Sequence, residues 1–289
     1  MESRCRGWSL RPIAAGAADS RRVGAETHHP SMLKAGLVIL ALLAAVAIAI
    51  VAGREWLLLQ RQDPNALWRI AQLCARDQAA NHLPAPCLTV DLPAGYVVLK
   101  DRVRGPEVMV MPTARVTGIE DPAVRGSDAP NYWQGAWLAR RFVEQFAGRQ
   151  LPRDDVAMAI NSVYGRSQNQ LHIHVDCIQR DVKEALAANL ARIGPTWSGF
   201  TLELHDHDYR AMWLPGADLS GRNPFDLLAA NPAARADMAR ETLVVAPLTR
   251  SDGVPGFVLL ASQAEHRLVG EGHGESLLDN RCDLPQGSA

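Results

Sequence analysis

Apolar residues recur along this chain with periods that change from segment to segment, and the longest apolar run comes first. From Ala35 to Gly53 the sequence reads AGLVILALLAAVAIAIVAG, without a charge. That length suits a helix crossing a bilayer core, and a buried core helix would show a polar face that this run lacks. Farther on, Asn65 to Gln78 sets Leu67, Ile70, Ala71 and Cys74 on one helical face, and LPAPC ends it. Gly95 to Lys100 (GYVVLK) and Val108 to Met111 (VMVM) read as strands of a hairpin around the turn DRVRGPE.

Residues 113–130 read as a loop. The clearest helix of the chain follows, from Asn131 to Ala147, with Pro130 before it and Gly148 placed to stop it. Its Trp133 and Trp137 suit packing on a sheet, with a lipid-facing role as the alternative. Val156 to Asn161 (VAMAIN) and Leu171 to Ile178 (LHIHVDCI) add two strands around SVYGRS, and Asp181 to Ile193 a helix closed by Gly194-Pro195. Asn223-Pro224 and Asn231-Pro232 each read as a cap followed by proline in the first helical turn. Leu243 to Leu248 and Gly256 to Ala261 form a last hairpin around SDGVPG. Strands, helix, strands, helix and then mixed elements argue an α+β fold with a mainly antiparallel sheet flanked by helices, preceded by a transmembrane helix.

Charge then gives the chain a direction. Arg4, Arg6, Arg11, Arg21, Arg22 and Lys34 all precede the apolar run, so the positive-inside rule keeps the N-terminus in the cytoplasm and sends the body across. The run is longer than a secretory h-region and favours an uncleaved anchor, although AIVAGRE leaves cleavage open. The first residues carry no hydrophobic period. They fit a short cytoplasmic tail or a start that really lies at Met32, and both readings stand. The organisation is thus a leader over 1–34, a span over 35–53 and an exported domain over 62–289. The composition, 47% apolar and 21% charged, is that of a globular protein, and a net charge of −1 speaks against nucleic acid as a partner. Beyond the membrane run lie Cys74, Cys87, Cys177 and Cys282. An even number in an exported domain suggests two disulfides with three possible pairings. Cys74 and Cys87 flank a proline-rich turn and make the local pair, which leaves Cys177 with Cys282. Free buried thiols are the alternative.

The stretch NQLHIHV, Asn169 to Val175, holds the candidate chemistry. In a strand Gln170, His172, His174 and Asp176 share one face and Leu171, Ile173, Val175 and Cys177 the other. The polar face could simply meet water. It could hold a metal, with Asp176 or the HDHD of His205 to Asp208 completing the ligands, though nothing in the spacing fixes that geometry. It could also attack phosphorus, because a neutral imidazole is a good nucleophile and a phosphoramidate splits one displacement into two. That chemistry needs donors for phosphate oxygens, and Gly165-Arg166-Ser167 lies just upstream. Arg166 could steer an anionic substrate or be a solvated arginine. HDHDYR reads as a surface loop, or His207-Asp208-Tyr209 as part of a substrate entrance.

GRSQNQLHIHV resembles the active-site segment of the histidine-triad superfamily of nucleotide hydrolases and transferases. The ordered set GYVVLKD, VMPTARVTGIEDP, NYWQGAWLAR and AINSVYGRSQNQLHIHVDCI, behind an N-terminal apolar segment, is similar to one branch of it, the bacterial CDP-diacylglycerol pyrophosphatase family. The likeness runs from about Leu67 to Cys282. It implies a histidine-triad-like fold and a membrane-anchored hydrolase, with the phospholipid CDP-diacylglycerol split into CMP and phosphatidate in the periplasm. It implies no metal and no cofactor. His172 would be the nucleophile, and His174 would bind phosphate oxygens or the leaving oxygen. Gly165 and Ser167 match the phosphate-contacting turn, and Asn161 an asparagine near the nucleophile. Gln170 stands where the first histidine of the triad is expected, and glutamine cannot titrate near neutral pH. Rival readings are a nucleotidyl hydrolase or CMP transferase acting on another nucleotide ester, and a non-enzymatic exported binding protein. The oligomeric state is open.

Overall fold

The computed structural model describes residues 32–59, 63–199, 201–265 and 272–283. These fall into two units divided between Arg61 and Gln62, each described by itself. Among its described residues the first contains one helix, α1 (Met32–Leu59). Its side chains are described only over 37–50, and within the described residues no helix is long and apolar enough to cross a membrane. The expected span over 35–53 runs past that window at both ends. The leader residues 1–31 lie outside the described residues.

The second unit begins with α2 (Ala66–Asn81) and continues through β1 (Thr89–Asp91), β2 (Tyr96–Lys100), β3 (Val108–Pro112), α3 (Tyr132–Ala147), β4 (Val156–Ile160) and β5 (Ile173–Ile178). There follow α4 (Arg180–Asn189), β6 (Thr201–Leu204), β7 (His207–Pro215), α5 (Pro224–Ala229) and α6 (Pro232–Ala236). The unit closes with β8 (Glu241–Thr249), β9 (Pro255–Gln263), a 3-10 turn Gly274–Leu277 and β10 (Leu278–Asp279). One sheet runs in the order β1-β2-β3-β5-β4-β8-β9-β7-β6, antiparallel at every pairing. The protein is therefore α+β with an antiparallel sheet and flanking helices.

The alternation of strand side chains decides where everything else sits. Val98, Val108, Val110, Ile173 and Val175 point to one face and join α3 in the main core through Trp133, Ala136, Trp137 and Val143. Trp133 lies 5.3 Å from Phe225 and Trp137 5.2 Å from Phe257, ring centre to ring centre. Both tryptophans are buried, which removes the lipid-facing alternative for them. On the other face, α2 packs a smaller cluster of Ala71, Cys74, Cys87, Val97 and Met111, flanked by Leu67, Ile70 and Leu99. Met109 pairs with His174 across β3 and β5, so the histidines lie on this second face, beside the ground covered by α2.

The β5 face is not wet. Gln170, His172, His174 and Asp176 are all buried, which overturns the water-facing reading. β5 is an interior strand, with β4 along one edge and β3 along the other. Where β3 ends, β10 takes over, pairing Leu278 with Ile178 and Asp279 with Cys177. The Cys177–Cys282 disulfide fastens that strap, and Cys74–Cys87 joins α2 to the turn before β1. HDHDYR is corrected as well: it is not a loop. His205 (φ 52°) and Asp206 (φ 63°) form the two-residue turn of the β6–β7 hairpin, the left-handed pair that hairpins favour. Four polar residues in a row hid a strand whose apolar residues come later, from Ala211 to Leu214.

The Cys177–Cys282 bond closes a chain separation of 105 residues. Cys282→Ser should lower unfolding stability by roughly 2–4 kcal/mol, read from urea titrations, and should raise amide exchange first in 272–283. An unchanged midpoint with protected strap amides would contradict this role.

Candidate active site

Local geometry fixes the proton on His172. Its Nδ1 lies 2.7 Å from the backbone carbonyl oxygen of Gln170, which can only accept, so Nδ1 carries the hydrogen. Nε2 is then left with a lone pair. Burial, reinforced by the nearby His174 charge, pushes the imidazole down to about 4, so it is neutral at physiological pH. This is a nucleophile's protonation state.

His174 has the opposite surroundings. Its Nδ1 donates to Glu107 Oε1 at 2.7 Å, and its Nε2 lies 3.2 Å from Glu275 Oε2. The second approach is out of line for a hydrogen bond, and among the described residues Nε2 has no hydrogen-bond partner. Burial acts to discharge this ring, but the Glu107 hydrogen bond and the charges of Glu107 and Glu275 outweigh it and lift His174 above the ordinary histidine range. The two rings sit 4.9 Å apart, centre to centre.

A cavity of about 700 Å³ opens onto both rings. Asn161, Gly165, Arg166 and Ser167 also line it, together with Glu275. Leu67, Ile70, Leu99 and Met109 give it an apolar wall, and Lys100, Arg102 and Arg104 a basic edge. α2 is stitched over it: Gln168 accepts from the Leu67 N–H, and the Asn169 N–H donates to Pro64 O. A separate hollow of about 600 Å³ between β1–β2 and α3, lined by Leu92, Tyr96 and Leu138, contains no histidine.

Five of the six residues expected from the sequence thus meet in one place. Gln170 does not line the cavity. Its side-chain N–H groups go to the carbonyls of Pro112 (3.0 Å) and Ala114 (2.9 Å), so it ties the end of β3 to the segment entering β5 while its backbone carbonyl orients His172. The Gly165 N–H is turned inward onto Ser162, whereas Ser167 is exposed and makes no hydrogen bond among the described residues. Asn161 Oδ1 accepts from the Glu275 N–H at 3.2 Å and so seats the 3-10 turn. Arg166 is not a solvated arginine: it forks onto Glu120, both contacts at 2.6 Å. His207 lines a different cavity, with Tyr209 and His273, and His205 pairs with Asp181 at 3.0 Å.

Sequence reasoning did not find Glu107, Arg104 and Glu275. Glu275 is pinned hardest: burial works against its charge, but His273, His174 and Arg104 hold its carboxyl down at about 2. Glu107, His174 and Glu275 are also the donors that could hold a metal ion, but Arg104 lies 3.7 Å from one carboxylate and 3.2 Å from the other and competes for that place. A second group, Asp176 with Cys177 and Cys282, has both sulfurs in a disulfide, leaving one carboxyl. Burial, aided by repulsion from Glu107, pushes Asp176 up to about 8, so it stays protonated at neutral pH.

This arrangement can deliver a neutral nitrogen nucleophile and a neighbouring cation to an anionic group held against a partly apolar wall. The family described as CDP-diacylglycerol pyrophosphatase matches residues 62–286 of the chain. A protein of Yersinia pestis named CDP-diacylglycerol pyrophosphatase is 36% identical over 245 residues, covering 84% of this chain and 93% of that protein.

Asp176 gives a test of the site's electrostatics. Its folded value lies above the ordinary carboxyl range, so the folded state binds the extra proton. Its contribution to stability is full below about pH 4 and is lost as pH rises through about 8. Asp176→Asn should therefore gain stability relative to the parent between pH 5 and pH 9 in urea titrations. A constant difference across that window would show that Asp176 is ionised throughout.

Proposed function

The chain belongs to the CDP-diacylglycerol pyrophosphatase family, and from that premise we propose that it hydrolyses the pyrophosphate bond of CDP-diacylglycerol to CMP and phosphatidate through a CMP–His172 intermediate. The observation that carries this reading is the fixed tautomer of His172, with Nδ1–H on the Gln170 carbonyl and the Nε2 lone pair free. Nε2 attacks the phosphorus on the CMP side. The bond from that phosphorus to the bridging oxygen breaks, and the oxygen leaves with phosphatidate while taking the proton of His174 Nε2. Water then attacks the CMP–histidine phosphorus, the P–N bond returns its pair to His172, and the proton of the water returns to His174. Ser167 offers an exposed hydroxyl to the phosphoryl oxygens, and Asn161 holds the turn that brings Glu275 in. The alternation of large apolar residues with His172 and His174, after the Gly165–Ser167 turn, supports a histidine-triad-like active site in which Gln170 takes a structural share of the first position.

The amphiphilic cavity supports a lipid substrate. The basic edge of Lys100, Arg102 and Arg104 suits a diphosphate, and the wall of Leu67, Ile70, Leu99 and Met109 suits the start of an acyl glycerol. The uncharged run from Ala35 to Gly53 anchors the enzyme in the bacterial inner membrane beside that lipid, with the basic leader in the cytoplasm. Two disulfides support a catalytic domain in the oxidising periplasm.

The test is turnover of CDP-diacylglycerol in mixed micelles containing ¹⁸O-labelled water. The label should enter CMP and not phosphatidate, and His172→Ala should lose at least about a thousandfold in kcat. Label in phosphatidate would place the attack on the other phosphorus. Equal turnover by the variant would remove His172 from the chemistry. A lipid-free CDP ester turned over as well as the lipid would replace the lipid substrate with a soluble one.

A further inference from the structure

The chemistry above asks two neighbouring histidines to hold different charge states, one neutral and one cationic, and the residues that could enforce this lie far from both in sequence. Glu107 precedes β3 and Glu275 sits in the 3-10 turn that the Cys177–Cys282 strap holds down. They approach His174 at different nitrogens, Glu107 at Nδ1 (2.7 Å) and Glu275 at Nε2 (3.2 Å). Glu107 is fully buried. A buried carboxylate needs a cation, and apart from His174 the one beside it among the described residues is Arg104, 3.7 Å away and already 3.2 Å from Glu275. His273 also approaches Glu275, Nδ1 to Oε1 at 3.5 Å; counting only the permanent cation, two carboxylates and one guanidinium leave one negative charge over. An imidazolium at His174 cancels it.

We propose that Glu107 and Glu275 are positioning residues that clamp His174 as a doubly protonated imidazolium, with Glu107 fixing the ring through Nδ1 and Glu275 balancing charge while leaving the Nε2–H free for the leaving phosphate oxygen. The misalignment of Nε2 with Glu275 is what makes the device work. A well-formed hydrogen bond there would occupy the proton that catalysis uses, whereas charge alone does not. Arg104 in turn keeps the two carboxylates from overwhelming one histidine. Among the groups facing His174, His172 just before β5 is neutral and Asp176 is protonated, so neither cancels the clamp.

The inference rests on the hydrolase reading for its consequence but not for its existence, and two measurements separate the two. Side-chain ¹⁵N spectra of histidine-labelled full-length protein in micelles report the His174 titration directly. Glu107→Gln keeps an oxygen for Nδ1–H and removes only the charge. It should lower the His174 midpoint by roughly one unit or more, with Glu275→Gln lowering it by a smaller amount, because one opposite charge at this range is worth about 1–3 units. The alkaline limb of the pH profile of kcat should move down by the same interval. A merely structural role would cut activity or stability evenly and leave both midpoints in place, which would overturn the proposal. If Glu107→Gln does not fold, an unmoved midpoint in Glu275→Gln overturns it alone. Shifted titrations with no CMP release would keep the clamp and place the failure on the proposed reaction.

Discussion

Two buried imidazoles with ring centres 4.9 Å apart repel strongly if both carry a proton, and the site is organised around separating their states. A backbone carbonyl takes the only hydrogen of His172, and a carboxylate takes one of the two on His174. An acceptor without charge beside one ring and an acceptor with charge beside the other is enough to keep one neutral and to favour the proton on the other. The same logic reaches the carboxyls. Asp176 and Glu107 repel on one side of the site, and Asp176, which makes no ion pair among the described residues, keeps its proton because burial outweighs the pull of Lys100.

Holding that pattern in place requires a strand that cannot shift. β5 is paired on both edges, and its apolar face is packed by α3. A slip by one residue would exchange Ile173 and Val175 for the histidines in the core. Gln170 adds a lateral tie to carbonyls at and just after the end of β3, and the C-terminal strap closes the far end of the strand through β10 and its disulfide. The strap is more than a staple, because it carries Glu275. The cavity is completed from the opposite side by α2, whose first turn is tied to the segment between Arg166 and Gln170.

Much of this could be read from sequence because it follows from local rules. The α3 helix showed its proline entry and glycine exit, and β5 showed its faces through alternation. The cysteine pairs followed from their number and from one local turn, and both are formed. What could not be read is what the long-range packing decides. Glu107 lies in DRVRGPE, which reads as a turn, and nothing local links it to a histidine 67 positions away. Glu275 lies 101 positions after His174, in a tail that is fastened to β5 by a covalent bond at Cys282. The burial of the histidine face was equally invisible, since alternation tells which residues share a face and not what covers it. The β6–β7 hairpin was missed because its turn and first strand residues are polar, a pattern shared by loops.

The central claim is that His172 Nε2 becomes bonded to CMP during turnover. Rapid mixing of enzyme with CDP-diacylglycerol in micelles, an alkaline quench, and mass analysis of the peptide containing NQLHIHV would show it directly. The account predicts a transient CMP adduct on His172, stable in base and lost in acid as a phosphoramidate should be, formed no more slowly than CMP is released. Steady CMP release with no adduct on any histidine at the shortest mixing times would contradict it, and would mean that water attacks the substrate directly.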